Sequence, residues 1–459
     1  MRVQPLFVAA AIAALAALPA SVGAEDMGPL VIAKQGYFFV GGKYFDTPNG
    51  KVMAGHAYVE YLIPEKRTHR FPLVMIAGGA MSGANFTGTP DGRDGWAQYF
   101  LAHGYAVYLV DQVGRGRSPY VESVYGKSNL NTSKFLMERF ITVARYKLWP
   151  QARLHTQWPG TAEPGDPIYD QMQAQELPDI ANAILREQLN RDAGVALLDK
   201  IGPAVLFTHS QSGAYGWAIA DARPALVKGI VAIEAGMRPF RDVEFVGAPD
   251  YFKDGPVNKT WGIGNMPLAY APQASDPSEL TFVKQDKPDA PDLVSCILQK
   301  EPARQLINLK GIPILILTSE AGFHATSDHC NSRFLKQAGV DNDFIRLPDI
   351  GIHGNSHYLM LEKNSMQIAG VIADWLGKRV TPTEAKETTT GRRTNARFSR
   401  RPRSPPKEAE VSISCSSTSC SANTACICRS TVRARPMRGR VSNSTSPRSP
   451  IGSARRRRP

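Results

Sequence analysis

Residues 207–215 read Phe-Thr-His-Ser-Gln-Ser-Gly-Ala-Tyr, and this stretch decides the fold. It continues the apolar run 204–207, which is typical of a short buried strand, and it leads into a segment that can form a helix. A serine at such a junction indicates a nucleophile elbow, the strained turn that lifts a serine hydroxyl above a sheet. Thr208 and Ser212 stand where the G-x-S-x-G pattern has glycine, so an ordinary serine-rich turn is the alternative. Ser210 is the candidate nucleophile.

Short apolar runs rich in β-branched or aromatic residues alternate with helical stretches. The predicted strands are residues 58–63, 73–76, 106–110, 204–207, 229–233, 313–317 and 344–347, and the predicted helices are residues 95–103, 214–222, about 332–338 and about 364–376. This alternation, with fully apolar strands, predicts an α/β fold in which helices cover both faces of a mostly parallel central sheet.

Two long excursions interrupt the alternation, at about residues 112–167 and 237–303. Both are rich in proline, glycine and aromatic residues. Insertions of this length between sheet elements are usually functional, so we expect a cap or lid that forms walls of a binding site. Surface decoration with a small core of its own is the alternative.

The two ends of the chain differ from its body. Residues 1–24 combine Arg2, an apolar stretch and small residues up to Ala24, which predicts a signal peptide and hence a secreted or periplasmic protein. No later segment has the roughly 20 apolar residues of a membrane helix, so we expect no membrane span. Residues 25–379 are the predicted folded domain, and residues 380–459 are predicted to be a disordered tail rich in Arg, Ser and Pro.

The charge of the chain is concentrated in that tail. The formal net charge is +13, and residues 380–459 carry 18 Lys and Arg against 4 Asp and Glu, a net of +14. The remaining residues therefore sum to −1, and the folded body offers no argument for nucleic-acid binding. Polyanion binding through the tail is a minor alternative.

Two of the six cysteines, Cys296 and Cys330, lie in the body. In an oxidising compartment they could form a disulfide, but sequence separation does not exclude two free thiols. The four tail cysteines have neither the spacing nor a following histidine for a zinc site, so we expect no metal.

The sequence offers two candidate bases for a serine nucleophile, His353 and His357, which both follow the last predicted strand. A histidine in this loop can reach over the carboxyl edge of the sheet to a serine. We favour His357, since it stands shortly before the closing helix, and read His353 as a supporting or surface residue.

Two glutamates are candidates for the acid that orients the base. Glu234 ends the strand 229–233, and Glu320 follows the strand 313–317. Each would stand at the carboxyl edge of the sheet, after the serine and before the histidine in the chain. Position alone leaves both open, and either could cap a helix or pair with an arginine instead.

A glycine-containing loop, residues 76–83, follows the early strand 73–76. Small residues let backbone N–H groups approach a substrate, so the predicted oxyanion donors are the N–H of Gly79 and that of Gln211, just after the serine. The loop lacks the spacing of a phosphate-binding loop.

Residues 111–118 complete a pattern that resembles a known family. Their sequence fits the D-x-x-G-x-G-x-S turn after strand four of α/β-hydrolases, and with the elbow, the Gly78–Gly79 loop and residues 354–357 (Gly-Asn-Ser-His) the resemblance covers about residues 30–378. The chain is most similar to secreted bacterial esterases whose triad acid follows strand six. That likeness implies Glu234 as the acid, with Glu320 as the runner-up. Ala77 departs from the histidine that relatives often have there.

The resemblance and the residues together predict a carboxylic-ester hydrolase with a Ser210–His357–Glu234 triad that acts on small-molecule esters through an acyl-enzyme. Such chemistry needs no cofactor and no metal. The alternatives are another serine-dependent reaction on the same scaffold (a perhydrolase, an amidase or a C–C hydrolase) or, further away, a secreted binding protein.

Overall fold

Eight strands form one central sheet in the computed structural model, which describes residues 28–380. In chain order they are β1 (Ile32–Thr47), β2 (Gly50–Pro64), β3 (Leu73–Ile76), β4 (Val107–Asp111), β5 (Ala204–His209), β6 (Val227–Ile233), β7 (Ile314–Thr318) and β8 (Asp343–Arg346). Their order across the sheet is β1-β2-β4-β3-β5-β6-β7-β8. β2 pairs antiparallel with β1 and β4, and the other five pairings are parallel. The predicted mostly parallel sheet is confirmed.

Alternate residues of the central strands pack into two apolar clusters, one on each face of the sheet. In β3, Leu73 belongs to one cluster and Val74 to the other, and in β5, Phe207 and Leu206 divide in the same way. Because successive side chains of a strand point to opposite faces, a strand buried on both faces must be apolar throughout. These strands were therefore visible in the sequence as unbroken apolar runs.

Five helices outside the two excursions cover the sheet. They are α1 (Trp96–Ala102), α2 (Ala183–Ile201), α3 (Ser212–Ala222), α4 (Asp328–Gln337) and α5 (Ser365–Arg379). Helices α1 and α5 contact each other and supply residues to one apolar cluster, while α2 and α3 contact each other and supply the opposite one. The predicted helices all occur, although α4 begins about four residues earlier than expected. Neither β1 nor α2 was predicted.

The two excursions fold into short elements. The first contains the helical segments Glu122–Tyr125, Ser133–Leu136, Met137–Ile141, Val143–Tyr146, Pro150–Leu154 and, just past its predicted end, Pro167–Ala174. The second contains an antiparallel pair, Arg241–Gly247 with Tyr251–Val257, and the short strands Tyr270–Ala271, Phe282–Lys284 and Ile297–Gln299. A disulfide joins Cys296 of this excursion to Cys330 of α4, which resolves the alternative that the sequence left open.

Both predicted terminal segments, the signal peptide at 1–24 and the tail at 380–459, lie outside the described residues apart from Val380. Within residues 28–380, no helix has the length and apolar character needed to cross a membrane.

Candidate active site

Ser210 occupies the sharp turn between β5 and α3. Its φ of 53° lies in the left-handed region that residues with a side chain rarely adopt, which is the strain expected of a nucleophile elbow. The turn packs tightly, since a Cβ on Gly213 would lie only 2.5 Å from the Cβ of Ala235. Glycine is therefore required one residue later than in the G-x-S-x-G pattern.

The two departures from that pattern have local explanations. Ser212 is fully buried, and its hydroxyl donates to the Ile76 carbonyl at 2.7 Å and accepts from the His209 amide at 2.9 Å. It thereby ties the elbow to the end of β3. Thr208 is accommodated by Gly216, where a Cβ would come within 2.9 Å of the threonine methyl group.

His357 lies beside the elbow and contacts Glu234. Its Nδ1 is 2.6 Å from Glu234 Oε2 in a fully buried pair. The backbone carbonyl of His357 accepts a hydrogen bond from His209 Nε2 at 3.0 Å, so the residue before Ser210 holds the histidine in place. The rings of His209 and His357 have their centroids 4.6 Å apart. Neither the Ser210 hydroxyl nor His357 Nε2 forms a hydrogen bond with another group of the described residues. Both residues line the same cavity.

Glu234 is held from its other side by Ser319, the residue that follows β7. Its Oε1 accepts from the backbone N–H of Ser319 at 2.8 Å and also from the Ser319 hydroxyl. Both hydrogen bonds leave Oε2 directed to His357. Glu234 itself has a φ of 42°, so the backbone at the end of β6 is strained to bring this carboxylate inward.

Glu320, the other candidate acid, lies on a different histidine. Its Oε1 is 2.9 Å from Nδ1 of His353, and its Oε2 accepts from the Gly354 amide at 2.7 Å. The His353 side chain is 62% exposed, in contrast to the buried His357. Glu320 therefore shapes the loop that carries His357 but does not contact that ring.

Burial shifts the pKa values of the inner pair. The pKa of Glu234 is raised by burial, and His324 and the Ser319 hydrogen bonds oppose that shift. The pKa of His357 lies well below its usual value, because of burial and because of the positive charges of His324 and Arg139. A lowered pKa keeps the imidazole neutral near pH 7, which is the form that can accept a proton.

The loop that carries Gly79 is held by two side chains from the turn after β4. The Gly78 carbonyl accepts from Gln112 Nε2 at 3.1 Å and from Arg115 Nη1 at 2.9 Å. In a trans peptide the C=O and the following N–H point in opposite directions. The N–H of Gly79 is thus directed away from these two side chains.

Arg115 also reaches the second predicted oxyanion residue. Its Nη2 donates to the Gln211 side-chain oxygen at 2.7 Å, and the guanidinium forms an ion pair with Asp179. Gln211 Nε2 donates to Asp179 at 2.9 Å, which closes the network. One almost completely buried arginine therefore connects both segments from which the oxyanion donors were predicted.

His324, which was not among the predicted site residues, lines the same cavity as Ser210 and His357. Its Nδ1 is 2.8 Å from Asp328 Oδ1, whose other oxygen accepts from the Thr318 hydroxyl at 2.7 Å. The spacing of four residues between this histidine and this aspartate was the only available sequence signal. Arg115 and Gln112 were likewise missed, since the turn pattern leaves both positions unspecified.

The cavity over Ser210 has a volume of about 410 Å³. Its walls come from the oxyanion loop, the elbow, α2 and both excursions, the last through residues such as Phe140, Met237 and Lys259. This volume is in the range of small-molecule sites. Both excursions contribute residues to the cavity wall.

One group of possible metal ligands occurs within residues 28–380: Cys296, His329 and Cys330. The two cysteines are joined in the disulfide, so their sulfurs are not available as thiolates. This group does not suit a metal ion.

Known proteins match the chain over most of its length. Residues 73–370 match the model of the alpha/beta hydrolase family. A relative named "Probable secreted lipase phiG", from Fungal sp. (strain ATCC 74256), is 43% identical over 345 residues, which cover 75% of this chain and 89% of the relative. A solved structure described as a novel bacterial esterase has a TM-score of 0.53 and 25% identity, and the match covers 77% of this chain and 98% of that one. The chain belongs to the α/β-hydrolase family.

Proposed function

We propose that the protein is a carboxylic-ester hydrolase in which Ser210 is the nucleophile, His357 the general base and Glu234 the acid that orients it. The observation that carries this proposal is the 2.6 Å contact between His357 Nδ1 and Glu234 Oε2. His209, the residue before Ser210, holds His357 next to the serine through a hydrogen bond to the His357 carbonyl. A glutamate carboxylate only accepts hydrogen bonds, so Nδ1 carries the proton. Nε2 is then left as the proton acceptor.

The reaction follows from these roles. Ser210 Oγ attacks the ester carbonyl carbon while its proton moves to His357 Nε2. The carbonyl oxygen takes the negative charge and is stabilised by the N–H groups of Gly79 and Gln211. The imidazolium gives its proton to the leaving alcohol as the C–O bond breaks, and an acyl-enzyme remains. Water, activated by the same histidine, then attacks the acyl carbon and releases the carboxylic acid.

The names of the relatives support this proposal. One is named a secreted lipase and the other is described as an esterase. The predicted signal peptide at residues 1–24 agrees with export, so we propose a secreted or periplasmic enzyme that acts on small-molecule esters. No cofactor takes part in the proposed steps.

The experiment is hydrolysis of p-nitrophenyl acetate by the purified full-length protein, followed as released nitrophenolate. We expect turnover by the wild type and a loss of more than about 10³-fold in kcat for Ser210→Ala, because no other group can form the acyl-enzyme. Ser278→Ala, on the exposed turn 277–279, is the control for the substitution itself. Undiminished hydrolysis by Ser210→Ala would remove Ser210 as nucleophile.

A further inference from the structure

Arg139 stands out among the charged residues that line the cavity over Ser210. It makes no ion pair or hydrogen bond with any residue in the range 28–380, and its Nη1 is buried without a partner. Burial of a cation costs free energy unless the cation is paired with an anion. An unpaired, largely buried guanidinium therefore indicates that an anion from outside the chain binds there.

The other Asp, Glu, Arg and Lys side chains of the cavity wall have ion-pair or hydrogen-bond partners within the protein. Asp179 pairs with Arg115 and with Arg186. Asp242 pairs with Lys259 and also accepts from the Asn258 side chain. Glu187 accepts from the backbone amides of Asn265 and Met266. Arg139 is thus the cavity-lining arginine or lysine that remains unpaired within the described residues.

Two aromatic rings hold the guanidinium in position. The central carbon of Arg139 lies 4.6 Å from the ring centre of Phe245 and 5.0 Å from that of Phe323. These contacts stabilise the positive charge but use none of the N–H donors. Burial lowers the pKa of Arg139 to about 10, so the side chain stays charged at neutral pH.

The position of Arg139 relates directly to the proposed chemistry. Phe323 contacts both the guanidinium and the proposed base, since its ring centroid is 5.0 Å from the central carbon of Arg139 and 4.6 Å from the ring centroid of His357. An anion bound to Arg139 would therefore lie in the same cavity as Ser210 and His357.

We propose that Arg139 binds a carboxylate of the substrate, so that the preferred substrates are esters that carry a second, ionised carboxyl group. A guanidinium matches the geometry of a carboxylate with two parallel hydrogen bonds, and a single unpaired positive charge suits a single negative one. This inference rests on the proposed ester hydrolysis and extends it to a substrate class.

The test compares pairs of esters that differ only in this charge. One pair is 4-acetoxybenzoate and 4-acetoxybenzamide, with the charge on the alcohol side. The other is monomethyl adipate and the corresponding methyl ester of adipic monoamide, with the charge on the acyl side. The kcat/KM of each is measured by pH-stat for the full-length wild type, Arg139→Met and Arg145→Met. Arg145 is an exposed arginine of the same excursion, paired with Glu163, and serves as the matched control.

We expect the ratio of kcat/KM for the carboxylate to that for the amide to fall by about tenfold to 100-fold in Arg139→Met for at least one pair, as loss of a hydrogen-bonded ion pair implies. The ratio should be unchanged in Arg145→Met. A ratio that stays within twofold in folded Arg139→Met for both pairs would overturn the inference. Failure of the wild type to hydrolyse any of the four esters while it hydrolyses p-nitrophenyl acetate would overturn this inference alone, whereas failure on p-nitrophenyl acetate as well would overturn the proposed function.

A second measurement uses only the wild type and tests carboxylate binding even if Arg139→Met does not fold. Adipate and adipamide are compared as inhibitors of p-nitrophenyl acetate hydrolysis by the wild type. We expect adipate to inhibit competitively at concentrations at least about tenfold lower than adipamide. Equal inhibition by the two compounds would contradict carboxylate binding.

Discussion

The ring of His324 lies parallel to that of His357, with the ring centroids 5.1 Å apart and the ring planes inclined by 7°. Burial lowers the pKa of His324, but the carboxylates of Asp328, Glu234 and Asp242 together raise it more, so the net pKa lies above the usual value. The two stacked imidazoles therefore differ in charge: His324 tends to hold a proton that His357 lacks. Burial is the main cause of the lowered pKa of His357, and the positive charge of His324 lowers it further.

The first prediction concerns the pH dependence of kcat/KM. Because the pKa of His357 is held well below 6.5, activity should be constant around pH 7 and fall only as the pH drops through that lowered value. His324→Gln removes a positive charge beside His357, so the acid limb should move to higher pH. The pH profile of p-nitrophenyl acetate hydrolysis measures this shift.

His353→Gln is the control for this experiment, since His353 is exposed and contacts Glu320 instead. Its acid limb should stay where the wild-type limb is. An acid limb that is unmoved in His324→Gln, or that moves to lower pH, would show that His324 does not act on His357 in this way.

The second prediction separates the two candidate acids. Glu234→Gln should lower kcat by about 10²–10⁴-fold, because the amide cannot stabilise the imidazolium and can favour the wrong tautomer of His357. Glu320→Gln should cost only a few-fold, since Glu320 contacts His353 and the Gly354 amide rather than His357. Steady-state kinetics of the two variants decide the assignment, and a larger loss in Glu320→Gln would reverse it.

The third prediction concerns Arg115 as a positioning residue. Arg115→Lys keeps a positive charge beside Asp179 but cannot bond Gly78 O and Gln211 together. We expect kcat to fall by at least about tenfold with a smaller change in KM, because the oxyanion donors act mainly in the transition state. Arg117→Lys, two residues further along the same turn, should change kcat less. Equal effects of the two variants would argue against a special role for Arg115.

The fourth prediction concerns the disulfide between Cys296 and Cys330, which closes a sequence separation of 34 residues. Replacing both cysteines by alanine should lower the free energy of unfolding by about 3–4 kcal/mol, as loop-closure entropy implies. Urea unfolding with and without dithiothreitol measures it. Reductant should destabilise the wild type and leave the double variant unchanged; insensitivity of the wild type would mean that the bond is not formed.

The central strands and the catalytic candidates could be predicted because each leaves a local mark in the sequence. Strands buried on both faces are unbroken apolar runs, and the elbow and the oxyanion loop each follow such a run. The histidine loop follows the shorter, half-buried strand β8 at the end of the sheet. Strand β1 left no such mark, since many of its side chains are exposed, including Tyr37 and Tyr44. Helix α2 mixes charged residues with its apolar ones, and Glu187 on it is buried by contacts that only the fold creates.

The supporting residues of the site could not be found from the sequence for a related reason. The contacts of Arg115 with Gly78 and Gln211 join residues 37 and 96 positions apart. His324 and His357 come together because the loops after β7 and β8 both meet Glu234 at the end of β6, the first through Ser319 and the second through His357. Single-sequence patterns specify strands and turns, whereas these side-chain contacts depend on how the sheet edge is assembled.

The most direct test of the central claim is to trap the nucleophile. Purified full-length protein is incubated with a p-nitrophenyl alkylphosphonate, which phosphonylates an activated serine, and the adduct is located by peptide mass spectrometry. We expect one adduct per chain, on Ser210, that forms more than about 10²-fold more slowly in His357→Ala. An adduct on Ser212 or on any other residue, or equally fast labelling without His357, would contradict the proposed site.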